Sequence, residues 1–158
     1  IYEIYASGYH GKIVAKRDTY MLKKSSNTRD SSNDLNLSNR NTYDDGEENT
    51  NLILNYFNNV EDISPAAKYC NDLSVQGYDD WYLPSQKEIQ KAATFLWSIT
   101  SGPNSIRNIG SGIFWSSNTD SAINQRAQCS CVNGCNGSTN PPEYYKDSEI
   151  YVVAVRKF

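Results

Sequence analysis

The sequence predicts an α+β domain, with short strands near both ends of the chain and two helical segments between them. The first indication is the motif at 77–85, Gly-Tyr-Asp-Asp-Trp-Tyr-Leu-Pro-Ser, in which a turn, an aromatic residue and a helix start follow one another. The second is the stretch at 150–155, Ile-Tyr-Val-Val-Ala-Val, which is rich in β-branched residues and contains no Gly or Pro. A length of 158 residues suits one domain, so we expect a single domain over residues 1–158.

The N-terminal part combines two short strands with a long polar stretch. Strands are predicted at 1–5 and 12–15, on either side of a Gly-containing turn at 7–11. The only histidine, His10, lies in this turn, and we expect it to have a structural role. Residues 23–51 are crowded with Ser, Asn, Asp, Arg and Thr and show almost no apolar periodicity. This composition predicts a long ordered loop, with disorder as the alternative.

Two helices are predicted in the middle of the chain from their first residues. Ser64 has the position of an N-cap residue and Pro65 that of the first helical residue, where the missing N–H costs nothing. Ser85 and Glu88 have the spacing of a capping box, which predicts a second helix beginning at Ser85. The inward faces repeat at helical spacing: Ala66, Ala67, Cys70 and Leu73 in the first helix, and Ile89, Ala92, Ala93 and Leu96 in the second.

The C-terminal half is expected to contain strands on either side of a second long loop. A short aromatic strand is predicted at 113–117, and an unbroken, buried strand at 150–155. The intervening residues 118–149 hold too many turn-forming residues for extended regular structure. This loop is therefore expected to be displayed by a rigid scaffold.

Two tryptophans and one arginine are expected to be structural. Trp81 and Trp115 lie next to apolar or helix-capping positions, so we expect both in the core. Arg156 interrupts an apolar stretch and is expected to pair with a buried carboxylate such as Asp80 or Glu88.

Four cysteines occur, Cys70, Cys129, Cys131 and Cys135. The even number favours two disulfides, for which three connectivities are possible. The alternatives are reduced thiols and a structural zinc site, although the single close Cys-x-Cys pair is tighter than the usual zinc-ligand spacing. Disulfides would indicate an extracellular setting.

Several short motifs occur in order along nearly the whole chain. They are Gly8 with His10-Gly11, Asn49-Thr50-Asn51, Ala67 with Cys70 and Leu73, Gly77-Tyr78 with Asp80-Trp81 and Leu83-Pro84-Ser85, Phe114-Trp115-Ser116-Ser117, and Val153-Ala154-Val155-Arg156 with Phe158. In this combination the chain resembles the bacterial domain family typified by the C-terminal domain of collagen-like adhesins. The resemblance implies a C-type-lectin-like fold, in which two helices flank small antiparallel sheets and a long C-terminal loop region carries the binding surface. The chain departs from the family pattern at Asn118, where an acidic residue is common, and in an insertion at 129–135.

Residues 118–147 are the candidate binding region because they combine adaptable amides with flat aromatic faces, as antibody paratopes do. A tyrosine can stack on a sugar ring while amides bond its hydroxyls. The residues expected to contact a ligand are Asn118, Asp120, Asn124, Arg126, Asn140, Tyr144 and Tyr145. The alternative for each of them is a solvated position in a turn-rich loop.

Composition argues against several other functions. The net charge of −3 disfavours a nucleic-acid or anionic-lipid surface, which needs clustered Lys and Arg. No stretch approaches the roughly 20 apolar residues of a membrane span, and the start at Ile1, without a signal-peptide pattern, is expected of a mature or excised domain.

We expect no catalysis and no cofactor. The chain offers a single histidine and no glycine-rich phosphate loop, and it shows no arrangement typical of nucleophilic catalysis. Calcium is the open alternative, because Asp120, Glu143 and Asp147 supply the oxygen ligands that this ion prefers.

The sequence therefore predicts a non-catalytic adhesion domain at the cell surface, secreted or on a virion. Its partner is expected to be a glycan or a surface protein of a host or neighbouring cell. The alternative is a structural or assembly module, such as the globular head of a pilus or phage fibre subunit, whose loops contact neighbouring copies in an oligomer or filament.

Overall fold

The structure is a computed structural model that describes residues 2–7, 10–15, 21–22, 45–57, 64–98, 112–119, 126–132 and 143–158. Its elements in chain order are β1 (Tyr2–Ser7), β2 (His10–Val14), β3 (Met21–Leu22), α1 (Gly46–Phe57), α2 (Pro65–Asn71), α3 (Gln86–Ser98), β4 (Gly112–Thr119), β5 (Arg126–Val132), β6 (Glu143–Tyr145), β7 (Ile150–Tyr151) and β8 (Val155–Lys157). The predicted α+β class is confirmed. Within these residues there are three helices rather than the two that were expected.

The strands form two sheets. The smaller has the order β1-β2-β8 and the larger the order β3-β7-β4-β5-β6. The pairings are antiparallel except for that of β4 with β7, which is parallel. The strands predicted at the N-terminus and at 113–117 are present, and His10 begins β2 opposite Ser7.

The prediction of one unbroken strand at 150–155 is wrong. The chain leaves the larger sheet after Tyr151 and enters the smaller sheet at Val155. Val152, Val153 and Ala154, which connect the two sheets, are all buried. The apolar sequence therefore reflects a buried crossing between the sheets, which periodicity alone does not distinguish from a central strand.

Helix α1 corrects the predicted loop at 23–51, of which residues 23–44 lie outside the described part of the chain. The backbone N–H of Glu48 donates to Asp45 Oδ1 at 3.1 Å, so an acidic N-cap starts the helix. Its inner face contains buried Asn49 and Thr50 besides Ile53. Because polar residues occupy inward positions, the helix lacks the apolar periodicity that sequence reasoning requires.

The predicted loop at 118–149 also contains regular structure. Strands β5 and β6 lie inside it, and Ala127, Cys129 and Val132 of β5 are buried. Turn-forming residues dominate the composition of the segment and obscure this strand.

The two helix starts predicted from capping residues are confirmed. α2 begins at Pro65 after Ser64, although the Ser64 side chain makes no capping hydrogen bond, and Ala66, Ala67 and Cys70 are buried. α3 follows Ser85, and its inward residues Ile89 and Ala92 are buried as expected. The side chains of Ala93 and Leu96 lie outside the described part of the structure.

A tight turn connects α2 to the Trp81 motif. Val75 and Tyr78 exchange two backbone hydrogen bonds, of 3.0 and 3.1 Å, across Gln76 and Gly77. Both central residues have positive φ, 55° and 82°, as a type I′ turn requires. Gly77 is therefore needed for its backbone conformation.

Trp81 and Trp115 are core residues, as predicted, with 2% and 0% of their surfaces exposed. The Trp81 indole N–H donates to the Tyr78 carbonyl at 3.0 Å, and that of Trp115 to the Leu22 carbonyl at 2.7 Å. Each indole thus buries its ring while keeping its polar atom bonded.

Cys70 and Cys129 are buried reduced thiols, which corrects the expectation that all four cysteines form disulfides. The thiol of Cys70 points to the Val153 carbonyl at 3.8 Å. Cys131 is disulfide-bonded, whereas Cys135 lies outside the described residues. Cys70 and Cys129 behave as small core residues, the commonest role of a buried cysteine.

Candidate ligand-binding site

Buried hydrogen bonds join the sequence motifs into one scaffold. The Thr50 hydroxyl lies 2.7 Å from the Gly46 carbonyl and accepts the Leu83 N–H at 3.0 Å. Asn49 Nδ2 donates to Ser117 Oγ at 3.2 Å, and the Ser117 N–H donates to the Pro84 carbonyl at 2.8 Å. α1, the segment before α3 and β4 are therefore held together by polar groups that are satisfied inside the fold.

The start of α3 is a complete capping box. The Ser85 N–H donates to Glu88 Oε2 at 2.7 Å, and the Glu88 N–H donates to Ser85 Oγ at 3.3 Å. The other carboxylate oxygen of Glu88 accepts the Tyr82 hydroxyl at 3.1 Å, and burial together with this carboxylate raises the pKa of Tyr82. Both carboxylate oxygens of Glu88 therefore have a structural role in the scaffold.

Asn118 belongs to the scaffold and not to a ligand-facing surface, which corrects its predicted role. Its side chain is fully buried, and its Oδ1 accepts the Gln86 N–H at 2.7 Å. It thus supplies an acceptor to one of the N–H groups that a helix start leaves without an intrahelical partner. Burial of a polar side chain by tertiary contacts has no local sequence signal.

Arg156 pairs with Asp80, as predicted, but this carboxylate is half-exposed and not buried as expected. Its Nε and Nη2 donate to the two Asp80 oxygens at 2.6 and 2.9 Å, and its guanidinium lies 3.9 Å from the centroid of the Tyr78 ring. The hydrogen bonds from Arg156 lower the pKa of Asp80. This arginine is therefore held by a carboxylate and an aromatic face together.

Two of the predicted ligand contacts, Arg126 and Tyr145, lie side by side on β5 and β6, at one end of the larger sheet. In the register of β5 and β6, Arg126 faces Tyr145 and Gln128 faces Glu143. Directly opposed and alternate residues share a face of a sheet, so these four side chains form one surface, here called the β5–β6 surface. The Arg126 guanidinium lies 5.0 Å from the centroid of the Tyr145 ring, and half of the Tyr145 surface is exposed.

Tyr144 has a different position from its neighbour. It faces Ala127 on the opposite side of the two strands and packs, half-buried, against the core that contains Trp115 and Cys129. Tyr144 therefore anchors β6 and leaves Tyr145 to present an exposed ring.

Asp120, Asn124 and Asn140, the other predicted ligand contacts, lie outside the described residues. Within the described ranges no group of three or more His, Cys, Asp or Glu residues is arranged to hold a metal ion. Calcium binding by Glu143 and Asp147 stays a prediction.

Sequence reasoning missed Gln128 as a member of the surface. Its Oε1 is buried and has no hydrogen-bond partner among the described residues. The signal that could have found it is the alternation with Arg126 in a strand, but that strand was not predicted. An unsatisfied buried acceptor costs about 1–3 kcal/mol, so this oxygen marks a place where a donor is favoured.

The fold and this surface define an α+β domain with an exposed tyrosine–arginine pair at one edge of its larger sheet. No protein-family model matches the chain, and no curated protein shows significant similarity to it. Among the helices that the structure describes, none has the length and apolar character needed to span a bilayer.

Proposed function

We propose that this protein is a non-catalytic extracellular adhesion domain of C-type-lectin-like fold that recognises a glycan or a protein through the β5–β6 surface and the segments around it. The observation that carries the proposal is the pairing of Arg126 with the half-exposed ring of Tyr145. Aromatic and arginine side chains are the commonest anchors of binding surfaces.

The scaffold behind this surface supports recognition without a large ordering cost. Tyr144 and Ala127 fix the opposite face of the two strands in the core, so Tyr145 is carried by a packed element. A rigid aromatic ring offers a large contact area with few rotatable bonds. Binding energy is then not consumed in ordering the protein.

The C-type-lectin-like assignment is supported by the motifs that resemble the adhesin family. Asn49-Thr50, Leu83-Pro84-Ser85 and Ser117 take part in the buried hydrogen bonds that join α1, α3 and β4. These contacts give the motifs a structural role, which supports the assignment, and the proposed binding surface is separate from them, in the C-terminal part of the chain.

An assembly module is the second candidate, and the position of β6 favours it. Among the described strands, β6 is the last of the larger sheet and pairs only with β5. An edge strand can accept a strand from a neighbouring copy through its backbone groups. Assembly of this kind predicts oligomers whose abundance rises with protein concentration.

The test compares wild type with Tyr145→Ala on a broad array of glycans and surface proteins, with and without calcium. Tyr78→Ala is the matched control, because Tyr78 is exposed to 46% against 50% for Tyr145 and also lies beneath an arginine. We expect binding to be lost in Tyr145→Ala and kept in Tyr78→Ala. Tyr144 is left intact because it packs against the core.

Two outcomes count against adhesion through this surface. Equal binding by wild type and Tyr145→Ala would place recognition elsewhere on the protein. A blank array combined with concentration-dependent oligomers in sedimentation experiments would favour the assembly module instead.

A further inference from the structure

The chain contains two arginine–tyrosine pairs that differ in one component. The Arg156 guanidinium contacts the Tyr78 ring and also binds both oxygens of Asp80. The Arg126 guanidinium contacts the Tyr145 ring, but among the described residues no carboxylate lies within ion-pairing distance of it. The second pair therefore has the aromatic partner of the first without its carboxylate.

We infer that Arg126 binds the carboxylate of an acidic sugar, in the place that Asp80 takes beside Arg156. The inference rests on the proposed function and names the ligand class of the same surface. Arginine favours this partner because its planar N–H donors match the two oxygens of a carboxylate. A guanidinium stacked on an aromatic ring keeps the N–H groups at its edge available for such bonds.

Gln128 supplies an independent reason to choose a sugar. It lies two residues from Arg126 on the same face of β5, about 7 Å along the strand. Its amide oxygen has no partner in the described structure, so rotation of the amide towards a ligand hydroxyl would satisfy an acceptor that is now buried without a bond. The separation of the two side chains is comparable to one sugar ring.

Glu143 fixes the orientation of the ligand. It faces Gln128 across the two strands and lies two residue pairs away from Arg126 and Tyr145. The charge of this carboxylate repels another carboxylate. The ligand acid is therefore directed to Arg126, its hydroxyls to Gln128, and its apolar ring face to Tyr145. An acidic peptide lacks this array of hydroxyl donors.

The experiment uses pairs of uronic-acid oligosaccharides and their carboxyl-reduced counterparts as probes, measured by titration calorimetry. Wild type is expected to bind the acidic member about tenfold or more tightly than the reduced member, as charge-assisted hydrogen bonds are stronger than neutral ones. Arg126→Gln should remove this preference. Lys91→Gln, which removes a positive charge from an exposed position of α3, should keep it.

Arg126→Lys is the second variant, because it keeps the charge and loses the paired donors. Arg126→Lys should retain only part of the preference for acidic over reduced sugars. In wild type the same preference is measured without any substitution. Thermal unfolding of each variant shows whether the fold is kept.

Three results would overturn the inference. If the reduced sugars bind as tightly as the acidic ones and Tyr145→Ala abolishes both, the adhesion function stands and the acidic-sugar assignment fails. If acidic peptides bind through Arg126 and uronic acids do not, the ligand class is wrong. If neither these probes nor any glycan or protein on the array binds, the proposed function fails together with the inference.

Discussion

A single methyl group at Gly46 is expected to destabilise the protein, because the first residue of α1 lies directly against the start of α3. A Cβ at Gly46 would lie 2.5 Å from the Ser85 backbone nitrogen and 2.8 Å from the Leu83 carbonyl oxygen, and it would also clash with the Glu88 carboxylate. Gly46 does not have a positive φ, so the constraint is space and not backbone conformation. Two of the three obstacles are backbone atoms that cannot rotate away.

The magnitude follows from the groups that must move. Overpacking a buried site costs about 1–3 kcal/mol. Displacing the Glu88 carboxylate also weakens the capping box at Ser85, which contributes about 1 kcal/mol. The better helix propensity of alanine offsets at most about 1 kcal/mol. We therefore expect Gly46→Ala to lower the free energy of unfolding by about 2 kcal/mol.

Urea denaturation measures this change as a lower midpoint with an unchanged slope. The matched control is Asn51→Ala, an exposed position in the same helix, where no loss is expected because alanine favours helix and meets no obstacle. If Gly46→Ala unfolds at the same urea concentration as wild type, the close approach of α1 to α3 does not constrain this position.

Three further changes test the scaffold. Thr50→Val should lower the free energy of unfolding by about 1–3 kcal/mol, since it leaves the Leu83 N–H without its acceptor, whereas Thr50→Ser should recover most of the loss. Arg156→Met should reduce stability above the unfolded pKa of Asp80, about 3.9, by less than about 1 kcal/mol because Asp80 is half-exposed. Because Arg156 lowers the pKa of Asp80, the contribution of this pairing is lost as the pH falls through the folded pKa of Asp80. The stability difference between wild type and Arg156→Met should therefore shrink in acid to what the Tyr78 contact contributes, and a difference that is the same at all pH values would refute the pairing. Asn118→Ala should lower the free energy of unfolding by about 1–3 kcal/mol, because it leaves the buried Gln86 N–H without its acceptor; a urea midpoint equal to that of wild type would contradict the capping role.

The helices that the sequence predicted are those whose signals are local. Pro65 and the Ser85–Glu88 box act within one turn, so their effect can be read without knowing the fold. α1 has a similar local signal, because Asp45 lies three residues before Glu48. The helix was nevertheless not predicted, since its inner face contains polar residues and shows no apolar periodicity. Asn49 and Thr50 point inward because tertiary partners satisfy them, and such partners are not visible in the sequence.

The candidate site was predictable in its residue types but not in its arrangement. Arg126 and Tyr145 were expected to contact a ligand, whereas their mutual contact depends on the register of two strands inside a segment predicted to be a loop. Asn118 was misassigned because an asparagine in a polar segment looks exposed unless its helix partner is known. Gln128 was missed because the turn-forming residues around it obscured β5, the strand that contains it.

The buried crossing at Val152–Ala154 has a consequence for the order of folding. β7, before the crossing, lies between β3 and β4 in the larger sheet, and β8, after it, completes the smaller sheet beside β2. Residues 150–157 therefore contribute a strand to each sheet, and these pairings join segments far apart in the chain, which slows folding. Neither of the two sheets is complete without this one segment, so their completion is expected to be a single cooperative event.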